Sequence, residues 1–214
     1  MRKASMTSTT NMMKTAAALL LPAALAQAAP PAPPAPPDLG PLAANKVALQ
    51  DVSQSGVAGK TFAAGTVIAA PLATLCAAIQ DYAGYPGFMP NVDKVKVSTG
   101  AGDSALLDLT LKLPMGKIKK YRLRMEPKAG AQSCRLAWKL VPSEGLKPDE
   151  TIADTSGYWQ LAPLAADRGK TEVRYLVYTD PGPVPLGFGW IVDSMSKDSI
   201  PKMLEALRAR VAPR

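Results

Sequence analysis

Methionines and aromatic residues on apolar faces of predicted strands and helices are the side chains of this sequence best suited to hold a ligand. Methionine is flexible and polarisable, so it suits a cavity wall that adapts to varied shapes, although the same residues also fill ordinary cores. An apolar pocket with few polar anchors is the usual form of a small-molecule site. The residues that we predict to contact a ligand are Phe88, Met89, Leu109, Tyr121, Met125, Trp138, Tyr158, Arg174, Met195 and Met203.

The residue types needed for common catalytic and metal chemistry are missing. The chain contains no histidine, which is the commonest general acid or base and the commonest neutral metal ligand. Ser-His-Asp catalysis, Cys-His catalysis and nearly all catalytic zinc sites are thereby excluded. We therefore predict no catalytic residue, no metal site and no cofactor.

Arg174 is the one cation among the candidate ligand contacts. It alternates with Val173 and Tyr175 along a predicted strand, so it lies on the opposite face from them. On the cavity side it would anchor a ligand headgroup or serve an enzymatic reaction. On the other side it would be a solvated arginine, which is the interpretation that we favour, although the parity of one strand does not decide between the two.

The two cysteines, Cys76 and Cys134, have no metal-type spacing. Cys76 falls on a predicted helix and Cys134 on a predicted strand. They are either two buried small apolar residues or, in an oxidising compartment, a disulfide. We favour the first interpretation, because a disulfide requires the two Cα atoms to lie within about 7 Å of each other.

Alternating apolar and polar residues predict a series of antiparallel strands joined by short turns. Leu107, Leu109 and Leu111 alternate with polar residues, which indicates a strand with one buried face. Extended segments are predicted at 46–53, 61–69, 92–99, 107–113, 121–125, 136–140, 152–161 and 173–177.

Helical segments are predicted before and after the main run of strands. Pro71 opens the first helix, where its missing N–H costs little, and residues 85–90 form a turn with a short helical piece. The C-terminal segment up to Val211 carries apolar residues at spacings of three and four, which is typical of a long amphipathic helix. Pro201 lies inside it and is expected to kink or break it after Ser199.

Several short motifs, in this order and spacing, carry a family resemblance. They are Ala69-Ala70-Pro71, Asp81-Tyr82, Tyr85-Pro86-x-Phe88-Met89-Pro90, Asp180-Pro181-Gly182, Val184-Pro185 and Ile200-Pro201-x-x-Leu204-x-x-Leu207-Arg208. About residues 45–212 resemble the START-like superfamily, also called the polyketide cyclase/coenzyme Q-binding (SRPBCC) group.

The resemblance implies an α+β helix-grip fold. In that fold a curved antiparallel sheet wraps around a long C-terminal helix, with two short helices after the first strand, and an internal cavity holds a lipid, sterol or quinone. We therefore predict a non-enzymatic protein that binds or transports a hydrophobic small molecule, most simply a lipid. Two alternatives stay open, because one fold hosts several functions: an aromatase/cyclase-like enzyme on polyketide-type substrates, and an interaction module without a cavity.

The N-terminal residues are typical of an exported protein. Residues 1–28 combine a basic start, an apolar run and a small-x-small cleavage pattern ending at Ala28, as in a secretory signal peptide. The apolar run is shorter than the roughly 20 residues that span a bilayer. Residues 29–41 form an extended proline-rich linker, and residues 42–214 form the folded domain. We expect a periplasmic or secreted protein, an exported bacterial member of the superfamily.

The charge balance does not indicate nucleic acid as a partner, and we predict none. Residues 1–28 hold three of the 25 basic residues and none of the 17 acidic ones, so the remaining chain carries +5, which is too little to indicate nucleic-acid binding by charge alone. The densest basic run is Lys117, Lys119, Lys120, Arg122 and Arg124. It is either a solvated strand face or a patch for transient contact with an anionic membrane.

Overall fold

The computed structural model describes Met1 and residues 37–44, 46–182 and 189–213. For Met115 and residues 189–196 it describes the backbone alone. Residues 35–214 cluster as one unit, which contains the whole fold described below. No helix in the described ranges has the length and apolar character needed to cross a bilayer.

Eight strands form one sheet in which every neighbouring pair is antiparallel. The spatial order is β1-β2-β8-β7-β6-β5-β4-β3, so β3 to β8 form a continuous meander. The strands are β1 (Ala48–Asp51), β2 (Lys60–Ile68), β3 (Val92–Thr99), β4 (Ala105–Lys112), β5 (Ile118–Ala129), β6 (Cys134–Val141), β7 (Asp154–Leu164) and β8 (Asp167–Asp180).

Two short helices lie between β2 and β3, so two strands rather than one precede them. Helix α1 spans Leu72–Gln80, and a 3₁₀ helix follows at Tyr82–Gly87. Pro71 stands at the N-cap of α1 with φ −61° and ψ 150°, where the missing N–H of proline leaves no helical hydrogen bond unmade. A second 3₁₀ turn, Pro114–Gly116, joins β4 to β5.

Helix α2 (Gly189–Val211) packs on one face of the sheet, which we call the inner face. Alternation along each strand assigns side chains to this face or to the outer face. On β4, Leu107 and Leu109 are buried on the inner face, whereas Asp108 forms an ion pair on the outer face. The helix-grip arrangement predicted from the sequence is confirmed.

Of the two outcomes predicted at Pro201, a kink or a break after Ser199, the break does not occur. The helix continues through Pro201 to Val211, although proline removes one backbone hydrogen bond and crowds the preceding turn. Ile200, Leu204 and Leu207 are buried on both sides of the proline. Their packing against the core offsets the local cost and keeps the segment helical.

The interpretation of the cysteines as two separate buried residues is wrong. Cys76 of α1 and Cys134 of β6 form a disulfide, with their Cα atoms 5.9 Å apart. The amide nitrogen of Gln80 lies 3.0 Å from the Cys76 sulfur. The bond joins α1 covalently to the sheet, and the required Cα separation arises only because α1 packs over the start of β6.

Residues before β1 cover part of the outer face. The side chains of Leu39 and Leu42 lie against Gly65 of β2, where an added Cβ would press on them. On the inner face, the Thr66 hydroxyl donates to the backbone carbonyl oxygens of Ala43 and Lys46 and accepts a hydrogen bond from Arg208 of α2. The end of the predicted proline-rich linker thus packs on the domain.

Candidate functional site

A cavity of about 330 Å³ lies between the inner face of the sheet and α2. Its volume falls in the roughly 300–1,000 Å³ range of small-molecule sites. Most of its wall is apolar or aromatic. The lining residues of the sheet include Leu109, Leu111, Tyr121, Leu123, Met125, Trp138, Thr155, Trp159, Tyr175 and Val177, and those among the described side chains of α2 are Ser199, Ile200 and Met203.

An aromatic group forms one part of the wall. The ring of Tyr175 lies between two indoles, 5.4 Å from Trp138 and 4.7 Å from Trp159 between ring centroids. Gly157 makes this possible, because a Cβ at that position would overlap the ring of Trp138 and the carbonyl oxygen of Leu176. Gly157 is the only glycine of β7, and it lies directly beneath the indole of Trp138.

Two tyrosine hydroxyls in the wall have no hydrogen-bond partner among the described residues, namely those of Tyr121 and Tyr175. Burial raises the pKa of Tyr121 to about 12. Burial, with a smaller contribution from neighbouring Tyr121, also raises the pKa of Tyr175. Both phenols are therefore neutral at any physiological pH.

Three other polar groups of the wall are already used by the protein. The Tyr85 hydroxyl donates to the Ile79 carbonyl oxygen at 2.5 Å. The Lys119 ammonium donates to the Thr151 carbonyl oxygen at 2.5 Å, and the Thr155 hydroxyl donates to a backbone carbonyl of β8 at 2.7 Å. These groups are satisfied within the fold.

The rim of the cavity combines apolar and basic residues. Leu113 and Lys119 line it at the turn between β4 and β5, and Pro90 and Pro181 line it on the segments that follow the 3₁₀ helix and β8. Between Leu113 and Lys119, the exposed side chain of Ile118 retains 47% of its accessible surface. Residues 183–188, which follow this part of the rim in the chain, lie outside the described residues.

Comparison with protein families identifies the chain. A family model described as polyketide cyclase/dehydrase and lipid transport matches residues 68–208. The chain belongs to this family. The START-like assignment made from the sequence is thereby confirmed. No curated protein sequence matches the chain.

Solved structures with the same fold include both lipid-transfer proteins and an aromatase/cyclase. A STAR-related lipid transfer protein of Xanthomonas axonopodis has 16% identity and a TM-score of 0.66, over 77% of this chain and 93% of that one. Human StAR-related lipid transfer protein 5 has 15% identity and a TM-score of 0.67, over 78% and 82%. The Zhui aromatase/cyclase of Streptomyces sp. R1128 has 14% identity and a TM-score of 0.53, over 76% and 93%. At such identities the likeness shows the fold alone.

Within this polyketide cyclase/dehydrase and lipid-transport domain, the structure brings most of the predicted contact residues together. Those that line the cavity are Met89, Leu109, Tyr121, Met125, Trp138 and Met203. Phe88 packs behind the wall, with its ring centroid 5.8 Å from that of Tyr85 and 5.7 Å from the Arg210 guanidinium. The side chain of Met195 lies outside the described residues.

Arg174 and Tyr158 lie on the outer face and therefore do not belong to the candidate site. The Arg174 guanidinium forms an ion pair with Glu172 at 2.6 Å and reaches the carbonyl oxygen of Pro37. The ring of Tyr158 lies under the Arg135 guanidinium, 3.7 Å from the ring centroid. Strand alternation is the cause, because Tyr175 and Trp159 face inward and their sequence neighbours must face outward.

The sequence analysis missed Trp159 and Tyr175, which border the cavity. A signal for Tyr175 was present, because Glu172 and Arg174 place two charges on one parity of β8, which favours that parity as the outer face. A signal for Trp159 was present as well, because Asp154 and Gln160 share the parity of Tyr158 on β7 and favour that parity as the outer face. The packing of Trp138 over Gly157 agrees with this assignment.

Proposed function

We propose that this protein binds and carries a hydrophobic small molecule of the lipid class in the cavity between the sheet and α2. The observation that supports this most is the cavity itself, about 330 Å³ lined mainly by apolar and aromatic side chains. Two proteins of the same fold are named as lipid transfer proteins. Burial of apolar surface would supply most of the binding free energy, about 0.8 kcal/mol for each buried methylene.

Access to the cavity would require movement of its rim. Pro90 follows the 3₁₀ helix and Pro181 follows β8, and both residues border the cavity. The C-terminal end of α2 is tied to the other side of the 3₁₀ helix, since Arg210 forms an ion pair with Asp81 at 2.9 Å. The rim near Pro90 and Pro181 is therefore the side at which we expect ligand to pass.

A native mass measurement tests the carrier function. The protein would be purified without detergent from an exporting bacterial host and mixed with a total lipid extract. We expect an added mass of lipid size that is released on denaturation. Leu111→Trp should lower this occupancy because it fills the cavity, whereas Lys112→Trp places the same ring on an exposed position next to it. A bare chain mass in the wild type, or equal occupancy in the two variants, contradicts the proposal.

We further propose that the rim makes transient contact with an anionic membrane. The turn between β4 and β5 presents exposed Ile118 between Lys117 and Lys120, and each lysine contributes about 1 kcal/mol near such a surface. Of the predicted basic run, Arg122 is neutralised by Asp108 at 2.6 Å. The contact would thus use the turn rather than the whole strand.

Vesicle co-sedimentation tests this contact. We expect binding to vesicles of phosphatidylcholine with phosphatidylglycerol and weaker binding to phosphatidylcholine alone, with loss at high salt. Ile118→Ser should weaken binding. Val97→Ser is the matched control, because Val97 is 43% exposed but lies on edge strand β3, away from the rim. Equal loss in both variants would contradict a contact made by the turn.

An aromatase/cyclase-like activity is the second candidate, because a protein named for that activity shares the fold. Arg174, the residue expected to serve such a reaction, is paired with Glu172 on the outer face. A bound compound that is recovered with its mass unchanged after prolonged incubation supports a carrier. A chemically altered product would favour the enzyme.

We also propose that the protein acts in an exported compartment. The Cys76–Cys134 disulfide supports this, because such bonds persist in oxidising environments. Cell fractionation should find the chain outside the cytoplasm, without residues 1–28 and two hydrogens lighter than its reduced mass. A full-length reduced chain in the cytoplasm would contradict it.

A further inference from the structure

The cavity contains few polar groups, and the fold already uses most of them. The ammonium of Lys119 and the hydroxyls of Tyr85 and Thr155 each donate to a backbone carbonyl oxygen. The Thr179 hydroxyl lies within hydrogen-bond distance of the Thr155 hydroxyl. Asn91 and Ser199 also border the cavity and are exposed and partly exposed, respectively. A ligand would have to displace an existing bond to use the bonded groups, and would compete with water for Asn91 and Ser199.

Tyr121 and Tyr175 differ from these groups. Both line the cavity on the inner face, on β5 and β8 respectively. Neither hydroxyl has a hydrogen-bond partner in the part of the chain that the structure describes. A hydroxyl left unpaired in an apolar environment costs free energy until a partner satisfies it.

The two phenols face the same cavity from different strands of the sheet. The pKa of Tyr175 is raised by burial and, to a smaller extent, by Tyr121. The ring of Tyr175 is held between Trp138 and Trp159. This packing fixes the direction of its hydroxyl before a ligand binds, which lowers the ordering cost of the contact.

We infer that the hydroxyls of Tyr121 and Tyr175 are polar anchors for an uncharged oxygen-containing group of the ligand, such as an alcohol or a carbonyl. The cargo is then a neutral amphiphile rather than a fatty acid anion. This inference rests on the proposed function, because it specifies the chemical class of the molecule that the cavity holds.

The wall around the Tyr121 and Tyr175 hydroxyls favours an uncharged oxygen in the ligand. Burial raises the pKa of both phenols because a phenolate would be an unpaired negative charge in an apolar wall. A ligand carboxylate beside these hydroxyls would carry the same cost. Lys119 is the one cationic side chain among the described lining residues, and its ammonium is bound to the Thr151 carbonyl oxygen. An alcohol or carbonyl gains the hydrogen bonds without that desolvation cost.

The test compares three probes of equal chain length, dodecan-1-ol, dodecane and dodecanoate, at pH 7 by native mass spectrometry. Tyr121→Phe and Tyr175→Phe should each weaken dodecan-1-ol binding about fivefold and leave dodecane binding unchanged, since each variant removes one neutral hydrogen bond. Dodecanoate should bind more weakly than dodecan-1-ol in the wild type. Thermal stability of both variants should equal or exceed that of the wild type, because an unpaired hydroxyl is removed.

Tyr85→Phe is the matched control. Its hydroxyl also belongs to a tyrosine of the cavity wall but is already bound to Ile79, so this variant should lower stability and leave the ratio of dodecan-1-ol to dodecane affinity unchanged. If all probes bind and the Tyr121 and Tyr175 variants do not change that ratio, the inference is overturned and the proposed function stands. If the wild type binds none of the probes, both are overturned.

Discussion

The two ends of the space between the sheet and α2 differ in how completely side chains fill it. At the end beside α1, Leu75, Leu136 and Leu204 have no accessible surface. At the end beside the turn between β4 and β5, the same sheet and the same helix enclose a cavity of about 330 Å³. We call these the packed end and the open end.

The change from one end to the other takes only two residues along a strand. On β6 it passes from Leu136 to Trp138, and on β8 from Val173 to Tyr175, since alternate residues share the inner face. The rings of Trp138 and Tyr175 stand at this boundary, and the space beyond them is left unfilled. The packed end therefore supplies stability, and the open end is left available for a ligand.

Removal of the disulfide should have the largest effect, and it should affect stability. The bond closes a segment of 58 residues at the packed end, so loss of its constraint on the unfolded chain costs about 4 kcal/mol. We expect the Cys76→Ala, Cys134→Ala double variant to show this loss in denaturant unfolding, with ligand occupancy retained while the protein is folded. Unchanged stability would mean that the packed end does not depend on the bond.

Two neighbouring residues of α2 separate the ends most cleanly. Leu204→Ala should cost about 2–5 kcal/mol, because it opens a void among fully buried side chains. Met203→Ala should cost roughly 1 kcal/mol, because Met203 borders an existing cavity, but it should change lipid occupancy. Chemical unfolding and native mass measurements check the pair, and equal costs at the two positions would argue against the distinction.

Gly157→Ala should disturb the boundary itself. An added Cβ would overlap the ring of Trp138, so we expect the indole to move into the cavity, with a shifted fluorescence emission and reduced lipid occupancy. Gly130→Ala is the control, since its nearest neighbour would be an ordinary contact at 3.8 Å. Unaltered emission in the Gly157 variant would show that Trp138 is not held there by the glycine.

The Asp108–Arg122 ion pair on the outer face should contribute least to stability. Hydrogen bonds from Arg122 hold the pKa of Asp108 below its usual range, so the pair contributes stability above the unfolded pKa near 3.9, which is lost as pH falls through the lower folded value. Both side chains are about one-third exposed, so the contribution is small. Asp108→Asn should lower the melting temperature slightly at pH 7 and not at all at pH 2, and a large loss at pH 7 would assign the outer face a structural role.

The main features of the fold follow from patterns that a single chain displays. The alternation of Leu107, Leu109 and Leu111 identifies the inner face of β4, and the spacing of Ile200, Leu204 and Leu207 identifies the buried side of α2. These patterns are local, because strands and helices repeat every two and every 3.6 residues. They also place most of the predicted contact residues at the cavity.

The remaining features depend on packing between distant segments. The disulfide requires α1 to lie over the start of β6, and no spacing in the chain reports that separation. The close approach of Trp138 to Gly157 joins residues of adjacent strands. The unused hydroxyls of Tyr121 and Tyr175 become apparent only when every possible partner has been placed.

The central claim is that the open end holds a hydrophobic molecule, and fluorescence quenching tests it most directly. Trp138 and Trp159 border the cavity, and Trp190→Phe would remove the third tryptophan of the chain. We predict that 12-bromododecan-1-ol quenches the remaining emission in a saturable manner and that unbrominated dodecan-1-ol reverses the quenching by competition. If the protein is folded and the brominated probe does not change its emission, the account is contradicted.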